Sequence, residues 1–161
     1  MRRIFRLLVI LVVVAFALAQ AARPRPGNPT TDPDEHLFAS TSIDEGTKEL
    51  LARSCFDCHS NQTRWPFYSH IAPVAWSVVD HVEHGRRHLN FSSWSTMPEE
   101  KQLAALKDIC SEVKEGEMPF ASYTLVHRSA RLSATDIETL CRWSRGESGR
   151  LARKEESGDV R

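Results

Sequence analysis

Two cysteines separated by two residues, with a histidine directly after the second, stand in the stretch RSCFDCHSNQTRWP as Cys55, Cys58 and His59. No other feature restricts the fold of this chain as strongly. Three side chains with strong donor chemistry are confined to little more than one helical turn, so the remaining chain must enclose whatever they hold. What they hold depends on the compartment, because thiols stay reduced in the cytosol and oxidise outside it.

The first residues, MRRIFRLLVILVVVAFALAQAARPRP, place Arg2, Arg3 and Arg6 ahead of an apolar run from Leu7 to Ala19 that ends in small residues. That is the outline of a secretory signal. Ala17-Leu18-Ala19 and Ala19-Gln20-Ala21 both offer small residues to a signal peptidase, yet the apolar run reaches Ala22 when Gln20 is tolerated. Residues 1–22 are therefore a signal peptide or a retained membrane anchor, with membrane association through residues 4–22. Both readings export the remainder to the periplasm. Without Arg2, Arg3 and Arg6, 18 of the 21 basic residues face 21 acidic ones, and no basic run or aromatic-interleaved basic stripe occurs. Nucleic acid is excluded as a partner on that ground.

The 161 residues suit one domain of ordinary size. Residues 23–33, RPRPGNPTTDP, contain four prolines and no apolar side chain beyond them, which predicts a solvated linker over residues 23–39. The stretch 149–161 is charged and glycine-broken and is expected to fray as a tail, leaving a domain over residues 40–148.

Inside that domain the punctuation is helical. Ser42 to Glu45 reads as a capping box for a helix carrying Ile43, Leu50 and Leu51 into Cys55. A second helix starts near Pro73, carries Ala75, Trp76, Val78, Val79 and Val82, and is expected to stop at Gly85. Thr96 to Glu99 predicts a third, with Leu103, Leu106, Ile109, Cys110 and Val113 as its buried stripe and Gly116 as its end. Ser133 to Asp136 caps a fourth, in which Leu132 and Ile137 form a staple and Leu140, Cys141 and Trp143 face inward. No segment sustains strand alternation, so the expected class is all-α.

In an exported chain, Cys-x-x-Cys-His is the attachment signature of c-type haem. Two thiols at this spacing reach two vinyl groups along one porphyrin edge, and the next side chain meets the iron. Cys55 and Cys58 would form thioethers and His59 the proximal bond. A thioredoxin-like dithiol should follow a strand, whereas this one follows a helix. A zinc site would need a fourth ligand from Cys110, Cys141 or another histidine. A Cys55–Cys58 disulfide would close too short a loop to gain much.

Met118, in EGEMPFASY, is the first choice for the sixth iron ligand, with His81 and His88 as alternatives. Met97 also precedes a proline, but its expected place in a helical turn favours packing. His84 stands with them near the end of the second helix, and His70 and His127 lie in loops. Trp65, Phe67, Tyr68 and Trp76 supply enough aromatic surface to cover a porphyrin face, and Arg64 or Arg86 could meet its propionates. Cys110 and Cys141 fall on neighbouring inward faces, where a disulfide and two buried thiols are both open.

The stretches CFDCHSNQTRWPFYSHIAPVAW, GRRHLNFSSW and EVKEGEMPFASYTLVH together resemble the small bacterial haem-binding domain proteins, a branch similar to cytochrome c. The resemblance covers most of residues 42–145. It implies a cytochrome c-like helical fold around one covalently attached haem, with first and last helices packed together. It carries Cys55, Cys58 and His59 onto haem attachment and Met118 onto the methionine of a Met-Pro pair, and it draws His81, His88 and Tyr123 into motif blocks. The expected activity is one-electron transfer to an unidentified redox partner protein, without enzymatic catalysis. The alternative is a haem-based sensor or peroxidase-like module with an open sixth position.

Overall fold

The computed structural model describes residues 1–158. Its helices are α1 (Arg2–Ala22), α2 (Leu37–Ser40), α3 (Glu45–Ser54), α4 (Phe56–His59), α5 (Val74–His88), α6 (Glu99–Glu115), α7 (Ala121–Val126) and α8 (Ala134–Gly158). Short 3-10 turns at Pro33–Glu35, Phe67–His70, Phe91–Thr96 and Arg128–Ala130 connect them. Among the described residues there is no strand, and the all-α expectation is met.

The starts of these helices follow from which side chain stands one residue ahead of the first turn. Asp44, rather than Ser42, caps α3, its carboxylate accepting from the Thr47 N–H at 3.0 Å and the Thr47 hydroxyl at 2.6 Å. Ser133 and Asp136 form the expected reciprocal box on α8, each accepting from the other's backbone N–H. The expected box at Thr96 is not made: Thr96 donates to Ser93 O, Pro98 occupies the cap of α6, and Met97 lies ahead of the helix. Gly116 ends α6 as expected, in the left-handed conformation at φ 77° that glycine adopts freely.

Gly85 does not end α5. The helix runs on to His88, and the glycine is buried against the backbone of α4. Trp76, on this helix and expected to add aromatic cover, is 41 % exposed.

The core gathers Leu50 and Leu51 of α3, Leu106, Ile109 and Val113 of α6, and Leu140 and Trp143 of α8, with Phe91 and Trp94 between them. Helix α6 packs along α8, and α8 also meets α3, so the first and last long helices of the domain touch. Arg53 bridges that junction, bonding to Asp136 at 2.9 Å, to Arg131 O at 2.9 Å and to Ser129 O. A disulfide between Cys110 and Cys141 (S–S 2.01 Å) joins α6 to α8.

Two expected boundaries move. Leu37 is fully buried and His36 is 7 % exposed, so packed structure begins inside the expected linker of residues 23–39. Helix α8 continues beyond residue 148, where Leu151 is buried and Arg150 pairs with buried Glu147 and donates to Ser40 O. An apolar side chain at the right helical spacing carries the helix through the charged stretch. The remainder of the expected tail, residues 159–161, lies outside the described residues.

Candidate cofactor site

Helices α4, α5, α6 and α7, the turn at Phe91–Thr96 and the loop after Gly116 wall a cavity of about 610 Å³. That is within the usual range for a cofactor pocket, roughly 300–1,000 Å³. Cys55, Cys58 and His59 line it, as do Met118 and, from α5, His81, His84 and His88. Ala105, Ile109, Val113 and Phe91 make its walls mostly apolar.

The motif is presented by a break in the helix. Cys55 leaves α3 at φ −124° and ψ −37°, and α4 restarts directly after it as a single turn. Gly85 lets α5 approach that turn closely: a Cβ there would stand 2.7 Å from Cys58 O. His59 Nδ1 lies 3.1 Å from Leu89 O. Donation by that N–H leaves Nε2 with a free lone pair, the tautomer a metal needs. Burial lowers the pKa of His59 and outweighs its interactions with the Leu89 and Gly85 backbone, which raise it, while nearby His88 adds slightly to the lowering, so the neutral ring is favoured.

The Cys55 thiol is pushed up to about 12, first by burial and then by Cys58. Burial likewise raises Cys58 to about 11, with Asp57 adding to the effect. Both are unbonded protonated thiols at neutral pH. Between them, Asp57 is buried and ties the motif to two other segments. It accepts from the Tyr123 hydroxyl at 2.7 Å and from the Arg64 backbone N–H at 3.1 Å and side-chain Nε at 3.3 Å. Tyr123 is thereby held far above the ordinary phenol range, mainly by burial and next by that hydrogen bond.

Several expected residues lie elsewhere. Trp65, Phe67, Tyr68 and Trp76 are not in the lining; Phe91, Phe120 and Tyr123 provide the aromatic wall. After His59 the chain turns behind α4, where Thr63 donates to Asp57 O and Arg86 to Ser60 O, and this carries the first three of those rings away. Arg86 is further occupied by Gly27 O, Asn28 and Thr63, and Arg64 by Asp57, and neither lines the cavity. The basic side chains that do line the cavity are Arg87 and Lys101. Their signal in the sequence was only an ordinary one, basic residues on amphipathic helices.

His70 lies outside the cavity, and His127 bonds to the Tyr68 hydroxyl at 2.6 Å. The His81 ring packs 5.5 Å from Phe120, and His84 and His88 stand 4.5 Å apart. Both Met97 and Met118 line the cavity, half-buried. The disulfide removes Cys110 and Cys141 from any zinc site, and among the described residues no three His, Cys, Asp or Glu side chains are gathered around one point.

The donor set, a correctly oriented imidazole beside two thiols in a largely apolar cavity, fits a planar cofactor bound through thioethers and a metal bond. A family model described as a haem-binding domain matches residues 12–146. No curated protein and no solved structure matches the chain.

Proposed function

The chain belongs to the haem-binding domain family, and from that premise we propose that it is a monohaem c-type cytochrome that transfers single electrons in the periplasm. The observation that carries this reading is His59, held by Leu89 O with its Nε2 free, in the same cavity as two unpaired thiols and Met118.

Cys55 and Cys58 would each add across one vinyl group, sulfur to one carbon and the thiol hydrogen to its neighbour. His59 would supply the proximal nitrogen. Met118 would supply the sixth, sulfur ligand, with His81 or His88 in its place giving a lower reduction potential. The chemistry supplied there is the one-electron ferrous–ferric couple of haem iron. The apolar walls exclude water, and Arg87 and Lys101 offer cations to propionates.

Periplasmic location is supported by α1, a 21-residue apolar helix with none of its residues buried, and by a disulfide of the sort that persists outside the cytosol. On this reading the chain is a carrier that works with a redox partner protein rather than an enzyme, the two thiols being used up as attachment points.

The test is an oxidised and reduced visible spectrum of protein exported from a host with haem-attachment machinery, repeated after acid-acetone extraction. Colour retained by the polypeptide with a sharp low-spin reduced spectrum is expected. His59→Ala should abolish that spectrum, and Met118→Ala should remove the weak far-red band of sulfur-ligated ferric haem. A high-spin spectrum in the unmutated protein would replace electron transfer with the sensor or peroxidase-like reading. A colourless protein would overturn haem attachment.

A further inference from the structure

Between Phe67 and Trp76 the chain reads FYSHIAPVAW, without Asp, Glu, Lys or Arg. Its large apolar side chains point to solvent: Phe67 is 78 % exposed, Ile71 42 %, Val74 45 % and Trp76 41 %. An apolar group this dense on a surface calls for a partner.

The end of α1 identifies it. Gln20, in the last turn of that helix, donates through Nε2 to Ala72 O at 3.2 Å and accepts at Oε1 from the Ala72 N–H at 3.2 Å. Helix α1 would be roughly 31 Å long at about 1.5 Å per residue, enough to cross a hydrocarbon core. An unpaired amide so near that core is costly, and the Ala72 peptide satisfies both of its polar atoms. The pairing also sets Ile71 and Val74, on either side of Ala72-Pro73, beside the last turn of α1.

The chain beyond α1 has little slack. Arg86 donates to Gly27 O and to Asn28, Trp65 donates to Asn28, and Asn61 donates to Thr30 O. The proline-rich segment is thus a strap along the domain, not the free spacer its composition predicts. Arg23 and Arg25 follow α1 directly and suit lipid phosphates, while a tryptophan beside apolar side chains suits the headgroup boundary.

We propose that residues 67–76 form a membrane-seating surface, in which Phe67, Ile71, Val74 and Trp76 rest in the headgroup–acyl boundary of the bilayer that a retained α1 spans. Arg2, Arg3 and Arg6 stay on the cytoplasmic side by the positive-inside rule, with the domain on the other. The occupant of the apolar surface is lipid, and the domain is fixed against the membrane face.

The test uses the haem-loaded full-length chain in vesicles of phosphatidylethanolamine and phosphatidylglycerol doped with a lipid bearing a photoreactive diazirine in its upper acyl chain. Adducts are mapped by peptide mass spectrometry. Adducts in residues 67–76 as well as in α1 are expected, with Gln20→Ala lowering those in 67–76 several-fold while those in α1 stay. Adducts confined to α1 would overturn the proposal and leave the surface to a protein partner. Equal labelling in Gln20→Ala would overturn the tether, and recovery of a chain beginning at Gln20 or Ala22 would overturn retention of α1.

Discussion

Asp57 lies between the two cysteines without lining the cavity, its carboxylate taken up by hydrogen bonds from Tyr123 and Arg64. A buried carboxylate is tolerable only with such partners, so the side chain that orients the motif is one the motif itself leaves unspecified. Tyr123→Phe removes the 2.7 Å bond and should cost about 1.5–3 kcal/mol in urea unfolding, the usual range for a hydrogen bond to a charged group. The pH dependence has a definite sign. Tyr123 keeps its proton far above the ordinary value of 10.0 in the folded chain, whereas the unfolded chain releases it near there. The stability it contributes is complete below that pH and is lost as pH rises beyond it. Between about pH 9 and 11 the urea midpoint should fall, and fall less in Tyr123→Phe, against the ordinary phenol pKa of about 10. An equal fall in both proteins would remove Tyr123 from the account.

At the scale of elements, the contact between α4 and α5 decides how the motif is presented. Glycine inside a helix normally costs about 1 kcal/mol relative to alanine, so Gly85→Ala would stabilise a helix considered alone. Here the added Cβ would meet Cys58 O at 2.7 Å, a backbone atom that cannot rotate aside. The expected result is net destabilisation of up to about 2 kcal/mol by thermal or urea unfolding, from overpacking of about 1–3 kcal/mol less the helix gain of about 1 kcal/mol. A lower yield of covalently coloured protein should accompany it. A Gly85→Ala protein more stable than its parent would show that the two helices do not need this close approach. Sequence punctuation read Gly85 as a stop because a helix-ending glycine and a close-approach glycine are the same letter. Only the neighbour across the interface separates them.

Across the whole molecule, the disulfide and the strap join segments far apart in the chain. Cys110 and Cys141 are separated by 31 residues and connect the two longest helices of the core. Closing a loop of that length is worth about 3–4 kcal/mol in the chain-entropy account. The double variant Cys110→Ala, Cys141→Ala should lose about 2–4 kcal/mol in urea unfolding. A thiol reductant should bring the unmutated protein to the same midpoint while leaving thioether-bound colour in place. If reductant and double variant both leave the midpoint unchanged, the bond contributes nothing to stability.

The sequence by itself determined the helices that carry a period and a cap, the existence of the Cys55-Cys58-His59 motif, and the apolar α1, because each is written in residues close together along the chain. It also singled out Met118, His81 and His88, and all three line the cavity. It misjudged the enclosing aromatics, since Trp65, Phe67 and Tyr68 follow His59 closely in the chain but are turned away by bonds to Asp57 and Ser60. The tertiary structure alone decided that Phe91, Phe120 and Tyr123 line the site, that Arg86 serves the strap, and that α8 continues past residue 148. Those outcomes depend on which distant group occupies the space beside a side chain, and no local pattern encodes that.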